Sequence, residues 1–292
     1  MKHILFVICL LLLIACSCSP ERVAESRFVE PDKLYRTLEA NVRSHQEFEV
    51  IIDIDHARLG KKAKSPMPPA HVLIWSDSEL EAAILKHNPL AAIDLPLRAL
   101  AYEDPKTGIA AVIANRFNYL ANRYALPNDA TIRERYDTDI AKAMANIPSE
   151  SIVKFSSDSM PDAGLITLNS PYDFATTKTR ILDVINSQSD AIVFGELDFA
   201  ARSQKHGVTL EQVYLILFGA PGPGGKVMAS APTLGLDAFC QKLLIWQDSH
   251  GGVNVSFNDL RALAERQQVS SGLALRVVNR RLKETFTKAL EQ

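Results

Sequence analysis

Gly108-Ile109-Ala110-Ala111-Val112-Ile113-Ala114-Asn115-Arg116-Phe117-Asn118-Tyr119-Leu120-Ala121-Asn122-Arg123 is answered 143 residues later by Gly251-Gly252-Val253-Asn254-Val255-Ser256-Phe257-Asn258-Asp259-Leu260-Arg261-Ala262-Leu263-Ala264-Glu265-Arg266. At that offset Gly108 meets Gly251, Val112 meets Val255, Asn115 meets Asn258, and Leu120, Ala121 and Arg123 meet Leu263, Ala264 and Arg266. Working outward, the same offset pairs Asp55 with Asp198, Ala57 with Ala200, Lys62 with Lys205, Pro89 with Pro232, Asp94 with Asp237 and Leu100 with Leu243. Trp75 stands opposite Phe218, and Asp53 opposite Glu196. Chance identities scatter over many offsets, whereas these fall inside shared motifs, so the chain reads as a tandem duplication.

Both halves carry the same element pattern. Leu34, Leu38 and Val42 recur at helical spacing, with Ile181 and Ile185 opposite the last two, so each copy has an opening helix. Apolar runs then predict four strands per copy, at 49–54, 72–75, 98–102 and 109–114 and at 191–197, 213–218, 242–246 and 253–257. A leading strand is expected at 164–169, with a weaker counterpart at 27–29. A long amphipathic helix closes each copy, its apolar stripe formed by Ile132, Tyr136, Ile140, Met144 and Ile147 in the first and by Leu275, Val278, Leu282, Phe286 and Leu290 in the second. The Ser- and Pro-rich interval 148–162 reads as a linker. Strand, helix, four strands, helix is the order of an α+β sandwich, an antiparallel sheet with helices on one face.

The 292 residues hold 32 Lys and Arg against 34 Asp and Glu, with 47% hydrophobic residues and 4 Cys. This is globular composition, long enough for two cores, and it excludes collagen-like, coiled-coil, disordered and disulfide-scaffold classes. A net charge of -2 gives no long-range attraction for nucleic acid, so none is expected as a partner. Met1-Lys2-His3 followed by the apolar run from Ile4 to Ala15 is too short to span a bilayer and reads as an export signal. Leu13-Ile14-Ala15-Cys16 has the form of a lipobox and resembles bacterial lipoproteins. The resemblance implies a signal peptide at 1–15, acyl chains such as palmitate on Cys16, and a flexible tether at 16–27. Two or three acyl chains hold a protein firmly at a membrane. Ser17, standing where an Asp would resemble the inner-membrane retention signal, points to the outer membrane facing the periplasm. Signal removal leaves 31 basic against 34 acidic residues, a net charge of -3, so the lipid does the anchoring. Of the cysteines, Cys18 lies in a polar leader and Cys240 in a strand-like run, where a buried inert thiol is expected rather than a bridge.

Asp53-Ile54-Asp55-His56-Ala57, an apolar strand, and Asn88-Pro89-Leu90-Ala91-Ala92-Ile93-Asp94-Leu95-Pro96-Leu97-Arg98 resemble the family named domain of unknown function 302. Leu217-Phe218-Gly219-Ala220-Pro221, then Met228, Pro232, Asp237 and a strand ending in Trp246, fit it in the second copy. The resemblance implies two modules, at 28–147 and 163–292, with a fold similar to the TATA-box-binding-protein-like class. Neither copy keeps the whole motif set: Ser76-Asp77-Ser78 stands opposite Gly219-Ala220-Pro221, His56 opposite Phe199, and Leu95-Pro96-Leu97-Arg98 opposite Ala238-Phe239-Cys240-Gln241.

The weak catalytic candidates are Asp55, His56, Asp94 and Arg98. Asp55 beside His56 has acid/base chemistry, yet neighbours on a strand point to opposite faces. Asp55 therefore reads better as a cap and His56 as a packing residue. Asp94 and Asp237, each before an apolar strand, read as turn acceptors. Gly219-Ala220-Pro221-Gly222-Pro223-Gly224-Gly225-Lys226 fails as a phosphate loop, because Val227 follows the Lys and two prolines remove donors. It is expected instead to be a mobile loop over a pocket, which makes Gly219, Pro221, Gly222, Gly224, Asp237 and Trp246 the ligand-binding candidates. No metal spacing or hydrolase elbow occurs, and no cofactor is expected. The expected function is non-catalytic binding of a small molecule, lipid or protein partner by an envelope lipoprotein. The alternative is an enzyme working through the polar residues of the first copy.

Overall fold

The computed structural model describes residues 26–291. The expected leader, the expected lipidation site Cys16 and Cys18 lie outside the described residues, as does most of the expected tether. Arg27 donates from Nε to Glu103 Oε1 at 3.0 Å, so the described chain is pinned from its second residue.

Two five-stranded sheets form, one per copy, and every expected strand from 49 onward is present. In the first sheet β1 (Glu49–Asp55), β2 (Ala70–Ser76), β3 (Leu97–Glu103) and β4 (Ala110–Ala114) pair antiparallel in sequence order. The expected leading strand at 27–29 is absent: the helix α1 (Val29–Ser44) begins there, with Glu30 and Asp32 in its first turn and Leu34, Tyr35, Leu38 and Val42 buried. The fifth place is filled by β5 (Ile152–Val153), which pairs parallel with β4. The interval read as a linker therefore supplies an edge strand. In the second sheet that place is held by β6 (Leu165–Ser170), antiparallel to β10 (Val253–Asn258), and β9 (Gln241–Gln247), β8 (Val213–Gly219) and β7 (Ile192–Asp198) complete it. Both outer strands slip register at the same relative place, between Val50 and Ile52 and between Val193 and Gly195. There the sheets meet, and a Cβ on Gly195 would lie 3.3 Å from Ile52.

Short helices follow the strands: α2 (His56–Lys62), α3 (Ser78–Leu85), α4 (Phe117–Tyr124) and the closing α5 (Ala130–Ala143) in the first copy, then α6 (Phe174–Asn186), α7 (Phe199–Gln204), α8 (Pro221–Met228), α9 (Leu234–Asp237), α10 (Leu260–Arg266) and the closing α11 (Leu273–Leu290) in the second. Each copy packs its long helices on one face of its own sheet. The other face is covered by its partner copy. The 3-10 turn Pro89–Ile93 lies on β8 and β9, while α9 lies on β2 and β3; α2 packs on α8 as α3 packs on α7. These contacts are reciprocal, which explains why β3 is buried along its whole length. One apolar cluster accordingly runs through both copies, with each fully buried Leu or Ile contributing about 1.5–3 kcal/mol.

Residues 219–226 are a correction. They form most of the helix α8 rather than a mobile loop. Pro221 and Pro223 sit in its first turn, where N–H groups have no intrahelical partner in any case. Its glycines permit contact with the first copy: a Cβ on Gly225 would lie 2.5 Å from the Ser65 carbonyl oxygen, and Gly222 abuts Ala63.

Candidate functional site

Of the four catalytic candidates of the first copy only Asp94 and Arg98 meet; Asp55 and His56 lie elsewhere. Asp55 caps α2, accepting from the Arg58 amide at 2.8 Å, and its counterpart Asp198 caps α7 through Ala201 at 2.9 Å. Arg58 also pairs with Asp55 and Asp32. With His71 those two carboxylates form the one group of converging metal-type ligands among the described residues, and the guanidinium already engages both. His56 is buried, and burial drops its pKa to about 3 despite the nearby carbonyl. The neutral ring places Nε2 3.1 Å from the Gly235 carbonyl oxygen of the other copy, to which its N–H donates. Only a glycine fits there, because a Cβ on Gly235 would lie 2.9 Å from the ring.

Asp94 and Arg98 belong to a buried polar joint between the copies. Asp94 accepts from Arg98, from Arg123 Nη1 at 2.7 Å and from the Tyr124 hydroxyl at 2.8 Å. Asp237 accepts from Arg98 Nη2 at 2.9 Å, Asn115 Nδ2 at 2.8 Å, and Arg266 Nη1 and Gln267 Nε2, both at 3.1 Å. Two crossed bonds complete it, Arg123 to Asn258 Oδ1 at 2.7 Å and Arg266 to Asn115 Oδ1 at 2.8 Å. The repeated Asp, Asn and Arg of the duplicated stretch thus bond across the copies. Burial pushes both carboxyls up, but Arg123 and Arg98 beside Asp94, and Arg98 and Arg266 beside Asp237, hold them below the usual carboxylate range. Lys242 is buried here too, its Nζ donating to the carbonyls of Leu236 and Asp237 at 3.2 and 3.1 Å. Burial, with Arg98 nearby, lowers it to about 8. Every oxygen of the two carboxylates accepts at least one hydrogen bond and both groups are buried, so the joint ties the two copies to each other.

The expected ligand residues divide likewise. Gly219, Pro221 and Gly224 line two adjoining apolar depressions of about 40 and 20 Å³, walled by Phe218, Phe239, Leu282 and Phe286 in one and by Ile54, Phe194 and Met228 in the other. Gly222 faces Ala63, and Asp237 belongs to the joint. Trp246 is elsewhere on β9, donating to Ser256 Oγ at 2.9 Å. Cys240 borders the smaller depression as a buried thiol with no disulfide partner among the described residues, pushed up by burial.

At the equivalent place in the first copy lies a polar cleft of about 390 Å³, lined by Asp77, Arg135, Asp139 and Lys142 together with Glu47 and Glu134. Asp77 caps α3 through the amides of Glu79 and Leu80, both at 3.1 Å, and accepts Arg135 in a fork at 2.8 and 3.0 Å. Lys142 reaches Glu47 at 2.8 Å and Asp139 at 3.6 Å. Burial, then a hydrogen bond shared with Asp77, pushes Asp139 up to about 7. Behind it, burial takes Glu81 up to about 8, with Arg202 of the second copy 3.7 Å away. These residues were missed in the sequence because they meet over long separations. A signal existed, however: at the 143 offset Val278 and Leu282 of one stripe fall opposite Arg135 and Asp139, so the two closing helices do not bury the same chemistry.

A 122-residue stretch, 41% of this chain, is 33% identical to 47% of the Fluoride-specific ion channel FluC 1 of Brucella suis biovar 1 (strain 1330), and equally identical to 44% of the Fluoride-specific ion channel FluC 2 of Brucella melitensis biotype 1. The chain thus matches about half the length of these curated relatives. A solved structure described as an uncharacterized conserved protein DUF302 from Bacillus stearothermophilus aligns with 44% of this chain and 95% of its own, at 15% identity and a TM-score of 0.37. One family model matches twice, at residues 23–147 and 166–291. With both halves covered, the chain belongs to the family described as Domain of unknown function DUF302, in tandem.

Proposed function

We propose that this protein is a lipid-anchored envelope lipoprotein, facing the periplasm from the outer membrane, whose fused modules bind a ligand without transforming it. The ligand is a small molecule or lipid that presents an alkyl end to the second copy. One observation carries this reading. Where the first copy has Ser76, Asp77 and Glu81, the second has Gly219, Ala220 and Gly224, and the removed side chains leave an apolar depression beside Phe218, Phe239 and Leu282. Apolar walls with a few polar groups, here Gln188 and Arg281 with the buried Gln241, are the usual make-up of a ligand site. About 40 Å³ admits one end of an alkyl chain rather than a whole lipid.

Anchoring through Cys16 rests on the Leu13-Ile14-Ala15-Cys16 motif after the apolar run from Ile4. A place at a membrane is also supported by the relatives named as ion channels. The test is native mass spectrometry of the full chain released from envelope membranes. Retained apolar mass that is lost in Leu282→Asp supports the reading. A bare chain, or mass retained equally by the variant, overturns it.

A further inference from the structure

The polar cleft of the first copy has features that a purely structural role does not require. Its lining carboxylates, Glu47, Asp77, Glu134 and Asp139, outnumber its cations, Arg135 and Lys142. Arg135 is committed to Asp77 and to Glu79, at 2.8 Å from the latter, and Lys142 is drawn mainly to Glu47. Asp139 is less engaged than Asp77, with Lys142 3.6 Å from its carboxyl group. It is 2% exposed, and its Oδ2 is buried with no hydrogen-bond donor among the described residues. Ionising a buried carboxyl without a donor is costly, so it keeps the proton it shares with Asp77 until a cation comes closer than Lys142 does.

We propose that this cleft binds a small organic ammonium, with a linear diamine as the best fit. A metal ion is disfavoured by the geometry, since the cleft's carboxylates do not converge on one point as Asp32, Asp55 and His71 do. An ammonium makes the opposite demand, a few acceptors spread around a roomy hollow. Asp139, through the oxygen that lacks a donor, receives one charged end, and Glu134 at the rim, which lines the cleft with Thr131 and Thr138, receives the other. Lys142 Nζ at 3.6 Å from Asp139 shows that an ammonium is already tolerated beside this acid. The second copy has closed the same place to cations, with Ala220, Val278 and Leu282 opposite Asp77, Arg135 and Asp139, and Arg281 opposite Thr138.

Binding exchanges a proton for the ammonium. Asp139 on α5 faces Asp77 from the turn after β2, Lys142 and Arg135 from its own helix, and through those two Glu47 before β1 and Glu79 on α3. Its proton, shared with Asp77, leaves as the ligand's charge arrives. Affinity for the diamine therefore rises with pH through the range in which Asp139 titrates.

The test is titration calorimetry of the full chain with 1,4-diaminobutane at pH 6 and pH 8 at fixed ionic strength. For an acid titrating near 7, the expected affinity is about tenfold higher at pH 8. Asp139→Asn should abolish the pH dependence and weaken binding at pH 8 by about tenfold. Should that variant fold poorly, Thr138→Arg puts the second copy's cation at an exposed rim position and should block the diamine equally. 1,4-Butanediol, with the same chain length and no charge, should give no heat. Absence of heat with millimolar diamine, equal affinity at the two pH values, or variants that bind like the parent would each overturn the proposal, whatever happens at the apolar cleft.

Discussion

The hollow beside each closing helix is built on one backbone plan and filled in two ways. In the first copy Asp77, Arg135, Asp139 and Lys142 place polar groups around about 390 Å³ of space; in the second, Ala220, Gly224, Val278 and Leu282 leave about 40 Å³ between hydrocarbon walls. The fold tolerates both because the buried polar joint that ties the copies together uses none of these residues. The joint keeps Asp, Asn and Arg in both halves, whereas the hollows differ at nearly every lining position. Side chains whose bonds cross between copies are held by mutual need, and those facing a hollow are free to diverge.

The strongest way to break this contrast is to break the joint. Asp237→Ala leaves Arg98 and Arg266 buried without a partner carboxylate on that side, and a loss of about 3–5 kcal/mol is expected in urea unfolding, in one transition that reports both copies. A loss below about 1 kcal/mol would mean that apolar contacts alone hold the copies. Exchanging one residue between the hollows should cost unequal amounts. Leu282→Asp sets an unpaired carboxyl among Phe218, Val278 and Phe286 and should cost about 2–3 kcal/mol, whereas Asp139→Leu removes a poorly solvated acid and should cost less than about 1 kcal/mol. Equal costs would refute the distinction.

A third expectation concerns pH. Asp139 and Glu81 hold their protons up to about 7 and about 8, above the ordinary carboxylate range. Between pH 6.5 and 8 the folded chain thus binds more protons than the unfolded one, and stability should fall as pH rises, by an amount on the order of 2 kcal/mol. His56, lowered to about 3, acts in the other direction: below its ordinary value of 6.5 the unfolded chain takes up a proton that the folded one refuses, and its own contribution to stability falls as pH drops. Lys242, at about 8, opposes this fall at the top of the window, where the folded chain begins to lose a proton that the unfolded one keeps. Because the two acids hold two extra protons in the folded chain against the one that His56 refuses, stability should go on rising, more gently, from pH 6.5 down to about 5 in thermal melts, with the fall above pH 6.5 flattened by Glu81→Gln and the rise below it steepened by His56→Phe, the residue type of the second copy. The smallest effect belongs to the caps, which the copies share. Asp198→Ala should cost about 1 kcal/mol, and Asp55→Ala little more, since its exposed pair with Arg58 adds less than about 1 kcal/mol.

Strand positions and the duplication were legible in the sequence because both are local: an apolar run declares a strand, and a fixed offset declares a repeat. Short helices such as α8 were hidden, because Pro221 and the glycines after it signal a loop unless a second helix supplies a surface for close packing. The swap of β5 for a leading strand was hidden for a similar reason. Ile152 and Val153 are too few to read as a strand, and they become one through pairing with β4. The joint was half visible, since its Asp, Asn and Arg are repeated, but their crossed bonding depends on contacts 122 to 151 residues apart. The polar cleft is drawn from 47, 77 and 131–142, and no sequence window contains it. Of the expected ligand residues, Gly219, Pro221 and Gly224 reach a cleft; Asp237 was read as a turn acceptor and instead became a hub of the joint.

The reciprocal covering of each sheet by the other copy has a further consequence. Two identical chains could dock by the same contacts, but every substitution in such a pair would appear twice, once in each hollow. A charge introduced on one side would burden the other. Carrying both copies on one chain removes that constraint, so that one half keeps its acids while the other turns to hydrocarbon. The duplication thereby turns a symmetric object into one with two distinguishable ends.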